Sequence, residues 1–262
     1  AVVGMGLIGG SYAKALRRLG VKKIIGVDTD GKVLRQAQEQ AVIDEARCGA
    51  GTGLQAADVV ICSVYPAATL DFVKSAVPFL KSDVLITDAT GIKGSLPEDV
   101  QRLLTGRMEF IAGHPMAGRQ GSGLGMSQAE IFDGANYIVV PAAFNSSGAI
   151  EWLSRFAGAI GCGQVVQVDA VEHDRIIAYT SNLPHALAVA LINSASYNEN
   201  TKYFIAGSFR DGTRVADINP YLWSDLFLAN RENVLQEVAA FSQQLERWRK
   251  ALTAADAQAL QE

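Results

Sequence analysis

The chain opens with a glycine pattern that leaves few folds available to it. Ala1-Val2-Val3 reads as a short apolar strand that runs directly into Gly4-Met5-Gly6-Leu7-Ile8-Gly9, and an amphipathic stretch follows. Gly4 permits the tight turn out of the strand. Gly6 has no side chain, so a phosphate can approach the backbone, and Gly9 lets a helix pack closely on the strand. The first helical turn, through Leu7 and Ile8, offers unpaired N–H groups and a partial positive charge, which suit an anion. Twenty-four residues after Gly4, a second apolar segment, 23–27, ends in Asp28. A carboxylate at that point accepts hydrogen bonds from ribose hydroxyls and repels a 2′-phosphate. The arrangement implies a dinucleotide of the NAD type, held by Gly4, Gly6, Leu7, Ile8, Gly9 and Asp28. A glycine triplet alone is a common turn; strand, triplet, helix, strand and acid in that order are specific.

Composition narrows the class. The 262 residues allow one large domain or two modest ones, and 49% apolar residues are enough for packed cores. A net charge of −4 argues against a nucleic-acid partner or an anionic membrane surface. No apolar run reaches membrane-spanning length, and none reads as a signal peptide. The chain starts inside its first strand without a methionine, so a few residues are expected to precede Ala1. Cys48, Cys62 and Cys162 are scattered, as reduced thiols of a cytoplasmic protein would be. Three histidines and no Cys/His cluster argue against a metal site.

Strand and helix patterns alternate through the first part. Segments 58–64, 84–88, 110–113 and 137–140 are near-continuous Val/Ile runs, as expected of strands covered on both faces in a parallel sheet. Segments 67–80, 95–104 and 145–160 have helical spacing, and 164–168 reads as a last strand. Residues 1–168 are therefore expected to form a doubly wound α/β domain. Residues 169–262 read as helical, over 170–197, 219–229 and 230–253. Phe227, Val234, Val238, Phe241, Leu245 and Trp248 form an apolar stripe there, either packed on the domain's own core or forming a dimer interface. A helical domain beside a nucleotide domain usually leaves the substrate cleft between them.

Histidine is the best candidate for proton handling near neutral pH. His173, in Glu172-His173-Asp174-Arg175, reads as part of a charged, solvated helix start. His185 follows Pro184 at the start of an apolar helical stretch, lining the cleft or satisfied in a core. His114 stands in Gly113-His114-Pro115-Met116-Ala117-Gly118, just past a strand, where open α/β sheets bind their ligands. It is the expected catalytic residue. Lys93 follows another strand and either assists the site or caps the loop. Ser63 and Pro66, at the end of segment 58–64, are expected beneath the cofactor.

These motifs, with Leu183-Pro184-His185, Phe209-Arg210-Asp211, Thr213-Arg214 and Asn219-Pro220 preceding Trp223, together resemble the prephenate dehydrogenase family, which includes arogenate and cyclohexadienyl dehydrogenases. The resemblance spans nearly the whole chain. It implies a Rossmann-type domain followed by an all-helical C-terminal dimerisation domain. It also implies NAD-dependent oxidative decarboxylation of prephenate to 4-hydroxyphenylpyruvate in tyrosine biosynthesis, or of arogenate to tyrosine. His114 would hydrogen-bond the substrate's 4-hydroxyl, with Lys93 assisting. Arg214 would bind a carboxylate through its planar fork, oriented by Asp211. Gln120, Asn182, His185 and Trp223 would complete the substrate site, Trp223 as a wall unless it is a core residue.

Three positions depart from the family's usual pattern. Gly91 stands where many members carry a serine, Gln120 where many carry glutamate, and Asn182 where many carry histidine. Two rivals are weaker. A β-hydroxyacid dehydrogenase would want a catalytic lysine in its second domain, and Lys202 and Lys250 read as surface residues. A non-catalytic NAD(H) sensor would want a basic nucleic-acid-binding module, which the acidic balance opposes.

Overall fold

The computed structural model describes residues 1–119 and 121–261. The chain separates into two compact units, Ala1–His173 and Asp174–Glu262.

In the first unit the described residues form one eight-stranded sheet. The strands are β1 (Val2–Val3), β2 (Ile25–Val27), β3 (Glu45–Arg47), β4 (Val59–Cys62), β5 (Leu85–Asp88), β6 (Glu109–Pro115), β7 (Asn136–Val140) and β8 (Gln164–Gln167). Their order is β3-β2-β1-β4-β5-β6-β7-β8. Strand order reverses at β1, which pairs with β2 through Val3↔Val27 and with β4 through Val3↔Cys62. That reversal opens a crevice at the carboxyl ends of the strands. Five helices cross between strands: α1 (Leu7–Arg18), α2 (Gly31–Glu39), α3 (Pro66–Ala76), α4 (Leu96–Gln101) and α5 (Ser147–Ala159).

The apolar runs are buried on both sides because side chains alternate across a strand. Val2, Ile61, Ile111 and Val139 enter one core with Tyr12 of α1 and Leu153 of α5. Their neighbours Val3, Val60, Phe110 and Val140 enter the other with Val73 of α3 and Val100 of α4. This is the doubly wound architecture.

Two details differ from the sequence reading. β7 runs antiparallel to β6, with β8 parallel to β7, so the sheet is not wholly parallel. Among its described residues, the connection from β6 to β7 holds short 3₁₀ turns, Leu124–Met126 and Ala129–Phe132, and a parallel return needs a helical crossover. β3 was not anticipated, because the edge strand Glu45-Ala46-Arg47 has no apolar run.

The helix α6 (Ala170–Ile177) carries the chain into the second unit, where a π-helical turn (Ala178–Asn182) leads into α7 (Leu183–Ile192). Pro184 lacks the N–H that would bond back to residue 180 and its ring crowds that carbonyl, which accounts for the widened turn. Then come α8 (Gly207–Thr213), α9 (Pro220–Ala229) and the long α10 (Arg231–Ala254). Asn219 caps α9, its side chain accepting from the N–H groups of Tyr221 and Leu222. Asn230 is buried at the α9–α10 junction and donates to the Asp174 carbonyl and to Asn182 Oδ1. This unit keeps large apolar side chains in solvent, among them Tyr203, Phe204, Tyr221, Leu245, Trp248 and Leu252. No described helix is long and apolar enough to cross a membrane.

Candidate active site

The turn after β1 is built as its glycines require. Gly4 adopts φ +83°, and a Cβ added to Gly9 would fall 1.7 Å from the Gly4 carbonyl oxygen. Helix α1 therefore packs directly on the turn. Above Gly6, by contrast, a Cβ would meet nothing within 4 Å. The face that a phosphate would approach is open, and the first N–H groups of α1, from Leu7 to Gly9, lie beyond the reach of helix carbonyls. Asp28 is pinned beside this turn: Oδ2 accepts from Met5 N at 2.7 Å and Oδ1 from Asp30 N at 2.9 Å. Its remaining lone pairs can accept from hydroxyls. Ser63, at the end of β4, has a buried hydroxyl without a hydrogen-bond partner among the described residues, and Pro66 opens α3 two residues beyond Val64. An open face over Gly6, a fixed carboxylate and an orphaned hydroxyl on one rim fit a dinucleotide.

His114 lies near the carboxyl end of β6, on the same edge of the sheet as Gly4, Ser63 and Asp88. Three strand spacings separate β1 from β6, roughly 14 Å. Beneath His114 is a buried ion pair. Lys93 Nζ meets Asp88 Oδ2 at 2.7 Å, with both side chains fully buried. The same ammonium donates to the Gly113 carbonyl at 2.7 Å, while Asp88 Oδ1 accepts from Gly113 N at 3.0 Å. The pair thus holds both polar backbone groups of the residue preceding His114. Thr90 adds its own N–H, at 3.0 Å, and its hydroxyl to Asp88 Oδ2.

His114 Nδ1 lies 2.9 Å from His173 Nε2, with the two rings edge to face. Among the described residues, no hydrogen bond engages His114 Nε2. Burial, reinforced by the Lys93 ammonium and then by His173, holds the His114 pKa well below the ordinary histidine value of 6.5. The ring is therefore neutral near pH 7 and half-buried, the state a general base needs.

The second unit holds its own group of expected residues. His185 stacks on Trp223 with ring centroids 3.7 Å apart. Its Nδ1 donates to the Ser181 carbonyl at 2.8 Å, which leaves Nε2 as an acceptor. Burial lowers the His185 pKa, the Ser181 carbonyl opposes that, and the Arg214 charge adds to the lowering. Arg214 is exposed in a one-turn 3₁₀ segment after α8.

Four expectations need correction or restriction. His173 is 2% exposed, not solvated. Lys93 is fully buried in its ion pair with Asp88 and donates to the Gly113 carbonyl. Asn182 is buried, and its Oδ1 accepts from Asn230, which ties a helix junction together. Asp211 is exposed and makes no hydrogen bond or ion pair with Arg214 among the described residues. Gln120 lies outside the described residues.

Comparison with known proteins matches two family models in sequence order. Residues 12–166 match the prephenate dehydrogenase nucleotide-binding domain, and residues 169–262 match the prephenate dehydrogenase dimerization domain. The chain belongs to the prephenate dehydrogenase family. A prephenate dehydrogenase of Lactococcus lactis is 32% identical over 99% of this chain and 73% of its own length. A cyclohexadienyl dehydrogenase of Zymomonas mobilis is 31% identical over 98% of this chain and 89% of its own. The crystal structure of prephenate dehydrogenase from A. aeolicus in complex with hydroxyphenyl propionate and NAD+ superposes with a TM-score of 0.90 at 30% identity, covering 99% of this chain and 92% of that one.

Within this dehydrogenase family's frame, two residues stand out that the sequence reading passed over. Asp88 carried a signal in its position at the end of an apolar strand, five residues before Lys93. His173 carried a weaker one: it stands four residues before Ile177, and both are buried. The charged neighbours Glu172 and Arg175 hid that face.

Proposed function

We propose that the protein oxidises prephenate to 4-hydroxyphenylpyruvate, with loss of CO2 and with NAD+ as the acceptor. The observation that carries this reading is a neutral imidazole, His114, on the carboxyl edge of a sheet whose first turn is shaped for a dinucleotide. Gly4, Gly6, Leu7, Ile8 and Gly9 would face the pyrophosphate, Asp28 the adenosine ribose, and Ser63 and Pro66 the underside of the cofactor. When bound, NAD+ would supply the acceptor for the hydride that leaves C4 of the substrate ring.

The chain's own groups handle the rest. His114 Nε2 accepts the proton of the 4-hydroxyl as the carbonyl forms. The ring carboxylate then leaves as CO2, its bonding pair completes the aromatic ring, and the proton returns to the phenolate oxygen. No net proton is consumed. Arg214 supplies a planar cation for a substrate carboxylate. His185, with Nε2 free to accept and one face stacked on Trp223, presents a flat, partly apolar surface suited to a ring. Lys93 and Asp88 act as positioning residues beneath His114.

The dimerization-domain match and the exposed apolar residues of α10 support a homodimer joined through the C-terminal helices. Arogenate, which bears an amine where prephenate bears a ketone, is the alternative substrate. NADH formation with prephenate and with arogenate, measured side by side at equal concentration, tests the reading. A kcat/KM at least tenfold higher with prephenate is expected. Turnover of arogenate alone reassigns the substrate, and no NADH from either removes the reading.

A further inference from the structure

We propose that His173 is the residue that sets the tautomer of His114, leaving the Nε2 lone pair of His114 available to accept a proton. The inference rests on the reading of His114 as general base. It deepens that reading by assigning a role to a histidine that the reaction itself leaves unused.

The geometry is that of two imidazoles sharing one proton. His114 Nδ1 and His173 Nε2 are 2.9 Å apart, and the rings meet at 62°. A contact that short needs one donor and one acceptor. Two neutral arrangements satisfy it. With the proton on His173 Nε2, His114 Nδ1 is the acceptor, so the His114 proton sits on Nε2 and the ring cannot act as a base there. With the proton on His114 Nδ1, His173 Nε2 accepts, and His114 Nε2 is a bare lone pair. Only the second arrangement does the chemistry.

Charge in the surroundings restricts the pair further. Lys93, paired with Asp88, lies beneath His114, and the Tyr137 hydroxyl is buried on the facing strand β7. A second positive charge beside the Lys93 ammonium is disfavoured, which keeps the His114 ring neutral. His173 is 2% exposed, so water cannot easily replace its ring as the acceptor.

This partner differs in one respect from the carboxylate that orients histidine in hydrolase triads. A carboxylate stabilises the imidazolium that forms. A neutral imidazole orients the ring while holding the charge less tightly. That suits a reaction in which the proton must return to a phenolate oxygen within the same turnover.

The chain contains three histidines, so ¹⁵N labelling of histidine yields six ring nitrogens, which the single variants His114→Asn, His173→Gln and His185→Asn assign. In the wild-type protein at about pH 7.5, above the ordinary histidine value, the His114 ring is expected to show a protonated Nδ1 and an unprotonated Nε2. In His173→Leu the proton should redistribute to Nε2. Its kcat should fall about 10- to 100-fold, with KM for prephenate and NAD+ affinity changed by less than about twofold. His173→Gln keeps an acceptor oxygen and should recover most of the loss in kcat and the wild-type tautomer.

A protonated Nε2 on His114 in the resting wild-type protein overturns the proposal, as does a wild-type kcat in His173→Leu. If His173→Leu does not fold, the wild-type spectrum and His173→Gln still decide the matter. Failure of the wild-type protein to form NADH from either prephenate or arogenate would strike the catalytic reading instead, and the ring-nitrogen shifts would still report the tautomer.

Discussion

The depressed pKa of His114 sets the pH response expected of the proposed general base. Its imidazole is neutral because burial and the Lys93 charge oppose protonation. Above pH 6.5 the ring is neutral in both the folded and unfolded chains. Below that, the unfolded chain binds a proton that the folded one resists, so stability falls as pH drops from 6.5 toward the lower folded value. Activity should follow the folded value, not the free one. The acid limb of kcat/KM for prephenate should lie clearly below 6.5, and a limb at or above 6.5 would mean that His114 titrates as an exposed histidine. Arg214 gives a second expectation. Arg214→Ala should raise KM for prephenate at least tenfold while NAD+ affinity changes by less than about twofold, the loss of a charge-assisted bond of about 1.5–3 kcal/mol. Isothermal titration with NAD+ beside steady-state kinetics separates the two effects, and parallel loss of both would remove Arg214 from carboxylate binding.

At the scale of elements, the site depends on two strand ends held in register by a buried charge pair. Lys93→Met leaves Asp88 buried and unpaired beside the Gly113 peptide. That should destabilise the protein by about 3–5 kcal/mol in urea unfolding, since removing one partner of a buried pair leaves the other's charge uncompensated. A loss under about 1 kcal/mol would mean that Asp88 is relieved by water. Much of this architecture was legible. The glycine turn, Asp28 and the Val/Ile strands follow from spacing alone, because backbone sterics and period-two burial act locally. The place of His114 at the carboxyl end of a strand was legible, and such strand ends are where these sheets bind ligands. The Lys93–Asp88–Gly113 clamp was not, because it joins β5 to β6 through contacts that no periodicity encodes. The antiparallel β7 was missed for the same kind of reason: its direction is set by its connection, which shows no crossover helix among the described residues, and not by its own residues.

For the whole molecule, the apolar residues left in solvent on α10 are the feature with the largest consequence. Leu245, Trp248 and Leu252 are each more than half exposed, on a helix matched to a dimerization domain. The proposed homodimer predicts that Leu245→Asp combined with Trp248→Asp gives a monomer in light scattering after size exclusion where the wild type gives a dimer, with the first unit's fold intact by NAD+ binding; a variant of unchanged mass would contradict an interface on α10. What joins these scales is one claim: a neutral His114 takes the proton of the substrate hydroxyl while the rest of the chain holds it in place. The most direct test is kcat of His114→Asn with prephenate and saturating NAD+. A loss of about 10²–10⁴-fold, with prephenate and NAD+ binding retained, is the predicted result. Turnover within about tenfold of wild type would contradict it.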